Sequence, residues 1–208
     1  MKHMIWRAVI TGCVLTLAGT ALAQQAPAPM RVRGQIEKVD GNTLTVKARD
    51  GATMAVNVPD NVRVTGLVKA SLTDIKPNSY IGVTAMPQPD GSQKAIAIHI
   101  FTEAQRGTGE GHRPWDLRPG STMTNAAVET TATGVDGQVL TVKYKSADKT
   151  EEKKVVVPPD AAIVAFQPGE KSELKSGAQV IILVQKQADG TLTAPSVNVG
   201  RDGVTPPM

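Results

Sequence analysis

The 208-residue chain is predicted to be all-β: two tandem small antiparallel β-barrels of about six short strands each, joined by a Gly/Pro-rich linker. Three observations carry this prediction. A long segment occurs twice, apolar residues alternate with period two inside each copy, and turn signals recur about every 8–12 residues, the spacing of small barrels and sandwiches. The repeat is Val39-Asp40-Gly41-Asn42-Thr43-Leu44-Thr45-Val46-Lys47 against Val135-Asp136-Gly137-Gln138-Val139-Leu140-Thr141-Val142-Lys143. Val58-Pro59-Asp60 returns as Val157-Pro158-Pro159-Asp160, and Pro89-Asp90-Gly91 as Ala188-Asp189-Gly190. The matches lie 96, 100 and 99 residues apart, so a domain-sized unit is duplicated and one hairpin of the second copy carries an insertion.

Residues 1–23 read as a secretory signal peptide. Lys2 and Arg7 form a basic start, Ala8 to Leu22 is apolar, and Ala21-Leu22-Ala23 is a cleavage site before Gln24. Export, most simply to a periplasm, is therefore expected, with no transmembrane segment after cleavage. The apolar stretch is too short for the roughly 20 residues a spanning helix needs. Ile10-Thr11-Gly12-Cys13 looks like a lipoprotein site, but too few residues separate Arg7 from the cysteine for an ordinary apolar region. Cleavage leaves 185 residues and removes Cys13, the sole cysteine, so neither disulfide nor thiolate chemistry is available.

Gln24 to Met30 is Ala/Pro/Gln-rich and expected to be a flexible N-terminus. The first barrel is placed at residues 31–103. Leu44, Val46 and Ala48 share one strand face, Asp50-Gly51 signals a hairpin with both residues at positive φ, and Met54, Val56 and Val58 return inward. Pro59 ends that ladder by removing a donor, and a short strand is expected at Val62 to Thr65. Ser71 to Asn78 reads as a helical turn whose counterpart is Ser172 to Gly177. Asn78 aligns with Gly177, and these two residue types most readily adopt the left-handed conformation. Tyr80 to Met86 and Gln93 to Phe101 are the last strands. The second barrel, 125–201, repeats the order, with a hairpin at Ala147-Asp148-Lys149 and final strands at Gln179 to Lys186 and Thr191 to Val199. A linker (104–124), its first half glycine-rich and mobile, and a frayed tail (202–208) complete the chain.

The pattern Gly-x-Ile-x-x-Val-Asp-Gly-Asn-x-Leu-x-Val at Gly34 to Val46, with Leu72-Thr73-Asp74-Ile75-Lys76 before a Val/Ile strand, resembles a family of exported bacterial domains of unknown function. In that family a small OB-like β-barrel occurs in tandem behind a signal peptide. The resemblance covers most of residues 31–102 and, more weakly, 127–200. It implies a fold and a compartment and brings no catalytic residues.

Composition narrows the function classes. Without Lys2 and Arg7 the balance is 21 basic to 19 acidic residues, spread almost evenly over both copies, so no basic face is expected. Weak counterion release and 3% aromatic content argue against nucleic acid. No nucleophile elbow, phosphate loop or dinucleotide fingerprint is present, and no enzyme activity or cofactor is expected. Glu151-Glu152 among Lys149, Lys153 and Lys154 is a solvated charged turn. A periplasmic soft-metal (copper) protein is the chemical alternative, with Met54, Met86, His99, His112, Met123 and Trp115 as donors. Those residues lack ligand spacing, so no metal site is assigned. Met54 reads as core filler and His99 as a satisfied or half-exposed histidine.

The better-supported expectation is a non-enzymatic exported module that contacts protein or an envelope polymer, in an oligomeric state the sequence leaves open. Its candidate contact residues are Arg113, Trp115, Arg118, Ile181 and Leu183. Trp115 lies among Arg106, Arg113 and Arg118, a setting for either docking on a barrel or cation–π recognition. Ile181 and Leu183 take the outer face of a strand where the first copy has Gly82 and Thr84. A half-buried strand should be polar there, so a covering group is expected, with Trp115 or Leu117 the nearest within the chain.

Overall fold

A computed structural model describes residues 29–134 and 137–208; the signal peptide read at 1–23 and most of the N-terminus read as flexible lie outside the described residues. The described chain is all-β. Its thirteen strands form one sheet. They are β1 (Met30–Asp40), β2 (Thr43–Ala48), β3 (Thr53–Asn57), β4 (Arg63–Lys69), β5 (Tyr80–Pro87), β6 (Gln93–Ile100), β7 (Gly111–Pro114), β8 (Thr122–Gly134), β9 (Gly137–Ser146), β10 (Lys149–Val157), β11 (Ala162–Pro168), β12 (Gln179–Lys186) and β13 (Leu192–Gly200). Among the described residues no helix is long and apolar enough to cross a membrane.

The turns follow from their residues, with one correction. Asp50-Gly51, Asp90-Gly91 and Asp189-Gly190 build the same three-residue loop, in which only the glycine takes positive φ, at 91°, 82° and 86°. Each aspartate Oδ1 accepts the backbone N–H two residues on, from Ala52, Ser92 and Thr191. That side-chain bond holds the aspartate in ordinary φ, so the turn is not the expected one with two positive-φ residues. The hairpin between β9 and β10 has Ala147 at φ 51°, with no glycine. The predicted helical turns are short 3-10 turns at Leu72–Asp74 and Lys171–Glu173. Asn78 and Gly177 adopt the left-handed conformation at φ 68° and 87°, as their alignment requires.

Strand pairing is where the fold departs from expectation. β8, β9, β10, β6 and β5 close a five-stranded barrel: β10 returns to β6 in parallel through Val155↔Gln93 and Val156↔Lys94. β1, β2, β3, β13 and β12 run in the corresponding order, with β3 meeting β13 at Asn57↔Thr193. Neither circuit is made from one copy. Each takes its first three strands from one repeat and its last two from the other. The tandem barrels expected at 31–103 and 125–201 would each close on their own strands, whereas here the within-copy ladders β1–β2–β3 and β8–β9–β10 are completed by β12–β13 and β5–β6 of the other copy.

The exchange has a symmetric centre. β4 pairs with β11 in antiparallel fashion, Leu67 opposite Phe166, and these residues occupy equivalent positions in the two copies. A pseudo-two-fold axis therefore passes between them. The bulges obey the same relation, at Ile36/Lys38 and Val128/Thr130, and they bend β1 and β8 where each serves two neighbours.

Packing follows the pairing. One core joins Val32, Ile36, Leu44 and Val46 of the first copy to Leu174, Val180, Ile182 and Val197 of the second. The other joins Ile75, Ile81, Val83 and Ile98 to Val128, Leu140, Val142 and Tyr144. A third cluster, Leu67, Val164 and Phe166 with Phe101 and Val204, fills the crossing. Each large apolar side chain fully buried contributes about 1.5–3 kcal/mol, so every core is held by residues from both halves.

Two termini of the expected domains are also ordered. β7 pairs with β8, and Thr108 accepts hydrogen bonds from Tyr80 Oη (3.3 Å) and Asn125 Nδ2 (2.9 Å), so the linker is bound along its length and is not a loose spacer. The tail is docked too. Pro206 is buried, its carbonyl accepts from Arg49 Nη2 at 2.6 Å, and Val204 packs on the third cluster.

Candidate arginine–tryptophan site

The site grows from the alternation of β1. Val32, Gly34 and Ile36 point into the core, which turns Arg31 and Arg33 outward. Their register partners on β12 are Leu183 and Ile181. On the other side, Arg49 continues β2 opposite Arg33, donating its backbone N–H to the Arg33 carbonyl at 2.8 Å. The fold thus sets three arginines beside two apolar residues on one outer face.

The segment after β7 comes down on this face. Trp115 is half-buried, its ring centroid 3.9 Å from the Arg31 guanidinium and 5.5 Å from that of Arg113. Such contacts are worth about 0.5–2 kcal/mol, more as water is excluded. Asp116 accepts from Arg33 Nη2 at 2.7 Å and stands 3.6 Å from Arg31. Burial works against its ionisation, but the Arg33 hydrogen bond and the charges of Arg33 and Arg31 hold its carboxyl below the usual range. Arg113 donates to the Gly109 carbonyl at 2.8 Å. Arg33 Nε and Trp115 Nε1 are buried with no hydrogen-bond partner among the described protein atoms.

The five residues singled out from sequence divide into those the fold gathers and those it does not. Trp115 and Arg113 stand together. Ile181 is buried at 7% exposure and Leu183 is half-buried, both on the face that the Asp116 ion pair closes. Arg118 is exposed, and the guanidiniums over the Trp115 ring are those of Arg31 and Arg113. Arg31, Arg33, Arg49 and Asp116 were missed. Counting charges per copy gives balance, but strand alternation puts Arg31 and Arg33 on one face, a signal visible in Arg-x-Arg itself. The expectation of no basic face is therefore corrected: a near-neutral chain still assembles a local arginine cluster.

The proposed metal donors fall on several strands: Met54 on β3, Met86 on β5, His99 on β6, His112 on β7 and Met123 on β8, with Trp115 just after β7. His99 is fully buried and stacked on Phe166, centroids 5.1 Å apart, with neither ring nitrogen in a hydrogen bond. It is not half-exposed, and burial pushes its pKa down to about 3, opposed by a contact with the Gly82 backbone. His112 Nδ1 lies 2.8 Å from Thr124 Oγ1, and its ring faces Tyr144. Met54 packs against the first core, as expected of a filler. Met123 is buried beside Arg113 in the β7–β8 register. Among the described residues no group of three or more His, Cys, Asp or Glu side chains could hold a metal ion.

No protein-family model, curated protein or solved structure matches the chain. The arginine–tryptophan geometry is the basis for a functional reading.

Proposed function

We propose that the protein is a non-enzymatic exported module, made of two OB-like barrels that share strands, which contacts a protein or envelope component through its arginine–tryptophan face. The observation that carries this reading is Trp115 held between Arg31 and Arg113, with Asp116 bridging the segment to β1. Trp and Arg are the residue types most enriched at binding hot spots, because each covers area and offers directed polar contact. The apolar surplus at Ile181 no longer supports a partner surface, because that side chain is buried inside the chain. Export and membership in the tandem-barrel family belong to the same proposal, resting on the signal-peptide pattern and the repeated motif.

The test is sedimentation with a cell-envelope fraction. The wild type is expected to be retained, and Trp115→Ala or Arg113→Ala to lose most of that retention while still unfolding cooperatively, with stability lowered by no more than about 0.5–2 kcal/mol. Equal retention of both variants would overturn the reading. Titration with Cu(I), followed by thermal shift, addresses the metal alternative. No shift is expected; a saturable one abolished by His112→Ala would replace a binding face with a metal carrier.

A further inference from the structure

Resting on the contact reading, we infer that residues 107–120 form a strap that lifts from the sheet as a unit while both circuits stay closed, and that its closed position holds the arginine–tryptophan face shut. The closed strap occupies the contact groups itself. Trp115 covers the Arg31 guanidinium, Asp116 takes Arg33 and Arg31, and Arg113 is turned to the Gly109 carbonyl. A partner reaches Arg31 and Arg33 only once Trp115 and Asp116 leave β1.

The strap is lightly held. No residue from Gly107 to Gly120 is buried, and none joins the three cores. Its attachments are polar and close to water: the four-residue ladder of β7 on β8, the Thr108 carbonyl, the Glu110 carboxylate on the Lys145 N–H (2.9 Å) and the Asp116 pairs. A segment with few buried apolar contacts opens before the body of a fold does. Three atoms along the seam, Arg33 Nε, Trp115 Nε1 and Asn125 Oδ1, are buried without a hydrogen-bond partner among the described residues. Closure withholds from them the water that opening restores, which narrows the gap between the two states. Gly107 and Gly120, at φ 83° and 77°, stand where the chain must swing. Before the first of them, Arg106 donates to the Asn78 carbonyl at 2.8 Å and anchors the near end.

The fold also closes without a strand of this kind. The shared bulges make Thr122–Asn125, the edge that β7 covers, equivalent to Met30–Arg33 of β1. Among the described residues β1 pairs only with β12 and β2, and the chain after β2 reaches no further than Arg49 at Arg33, yet that circuit is complete. β7 is therefore an addition to the second circuit and not a member of it.

The test is hydrogen exchange of the full wild-type chain, read by mass spectrometry at low urea concentrations. Peptides spanning 108–116 are expected to be protected at least about a hundredfold less than those of β5 and β12, with little dependence on urea, because lifting the strap exposes little surface. Asp116→Asn should speed strap exchange about two- to fivefold, as for loss of a half-exposed ion pair. A lock supplies the second measurement. His112 and Thr124 are register partners on β7 and β8. With Cys13→Ser, His112→Cys and Thr124→Cys in place, oxidation ties the strap down. The oxidised protein should lose at least about fivefold in envelope retention against the same protein reduced. The inference is overturned if strap and core peptides exchange together with one urea dependence, or if the oxidised form is retained as well as the reduced form. If the strap opens but neither the wild type nor the reduced variant is retained, the contact reading falls and the opening stands.

Discussion

The two circuits keep the same interior and differ on the outer face. Equivalent rows read Asn198, Ile181, Arg33 across β13, β12 and β1, and His99, Gly82, Asn125 across β6, β5 and β8. One row offers a branched apolar side chain beside an arginine tied to Asp116. The other offers a glycine between two buried polar groups, with His99 and Asn125 Oδ1 unpartnered. Thr84, next along β5, is also buried with an unpartnered hydroxyl, where β12 has Leu183. The inward residues Ile81 and Val180, or Val83 and Ile182, stayed apolar. Duplication thus left the cores unchanged in kind and freed the outer faces to diverge, one toward charge and the other toward burial.

Exchanging residues between the rows should produce the largest effects. Ile181→Ala removes a buried side chain and is expected to cost about 2–5 kcal/mol by chemical denaturation. Gly82→Ile should also destabilise, by about 1–3 kcal/mol or more, because a Cβ there would stand 2.9 Å from Asn125 Oδ1 and 3.1 Å from Phe101. If Ile181→Gly combined with Gly82→Ile is as stable as the wild type, the rows are interchangeable and the comparison has no energetic content.

His99 sharpens the contrast through pH. Its folded pKa of about 3 lies below the ordinary 6.5, so between these values the unfolded chain holds a proton that the native chain lacks. Stability is therefore full above pH 6.5 and falls as pH drops toward 3. Denaturant melts at pH 7.0 and 4.5 should differ by about 2–3 kcal/mol more in wild type than in His99→Asn, which installs the residue found at Asn198. An identical pH response in both proteins would show that His99 is not held neutral by burial.

A smaller effect is expected at Asp116. The carboxylate is nearly half exposed, so Asp116→Asn should cost about 0.5–1 kcal/mol after screening. Quenching of the Trp115 fluorescence should change as the segment loosens from Arg33. An unchanged spectrum and melting point would remove Asp116 from the account of the seam.

Much of this was legible in the sequence, for physical reasons. Alternation placed Leu44, Val46, Val180 and Ile182 inside, and the left-handed pair Asn78 and Gly177 marked equivalent turns. Partner choice was not legible, because period two fixes which face a residue takes and not which strand lies beside it. In a duplicated chain β5–β6 and β12–β13 carry the same apolar pattern, so either pair can complete either circuit. Leu67 and Phe166 hold the missing information: they need cover, and pairing with each other supplies it. The arginine cluster escaped for a related reason, since charge counted along the chain says nothing about charge gathered across strands.

Strand exchange between the copies is the central claim, and a cross-link across β1 and β12 tests it most directly. Gln35 and Gln179 are register partners from different copies. With Cys13→Ser, Gln35→Cys and Gln179→Cys in place, and a protease sequence inserted between the exposed Arg106 and Gly107, the protein is oxidised, cleaved, and run under denaturing, non-reducing conditions. Exchange predicts one band at the full mass that splits in two only on reduction. If each copy closes on itself, Gln35 lies beside the first copy's own β5, and two separate fragments would appear without reduction, which contradicts the account.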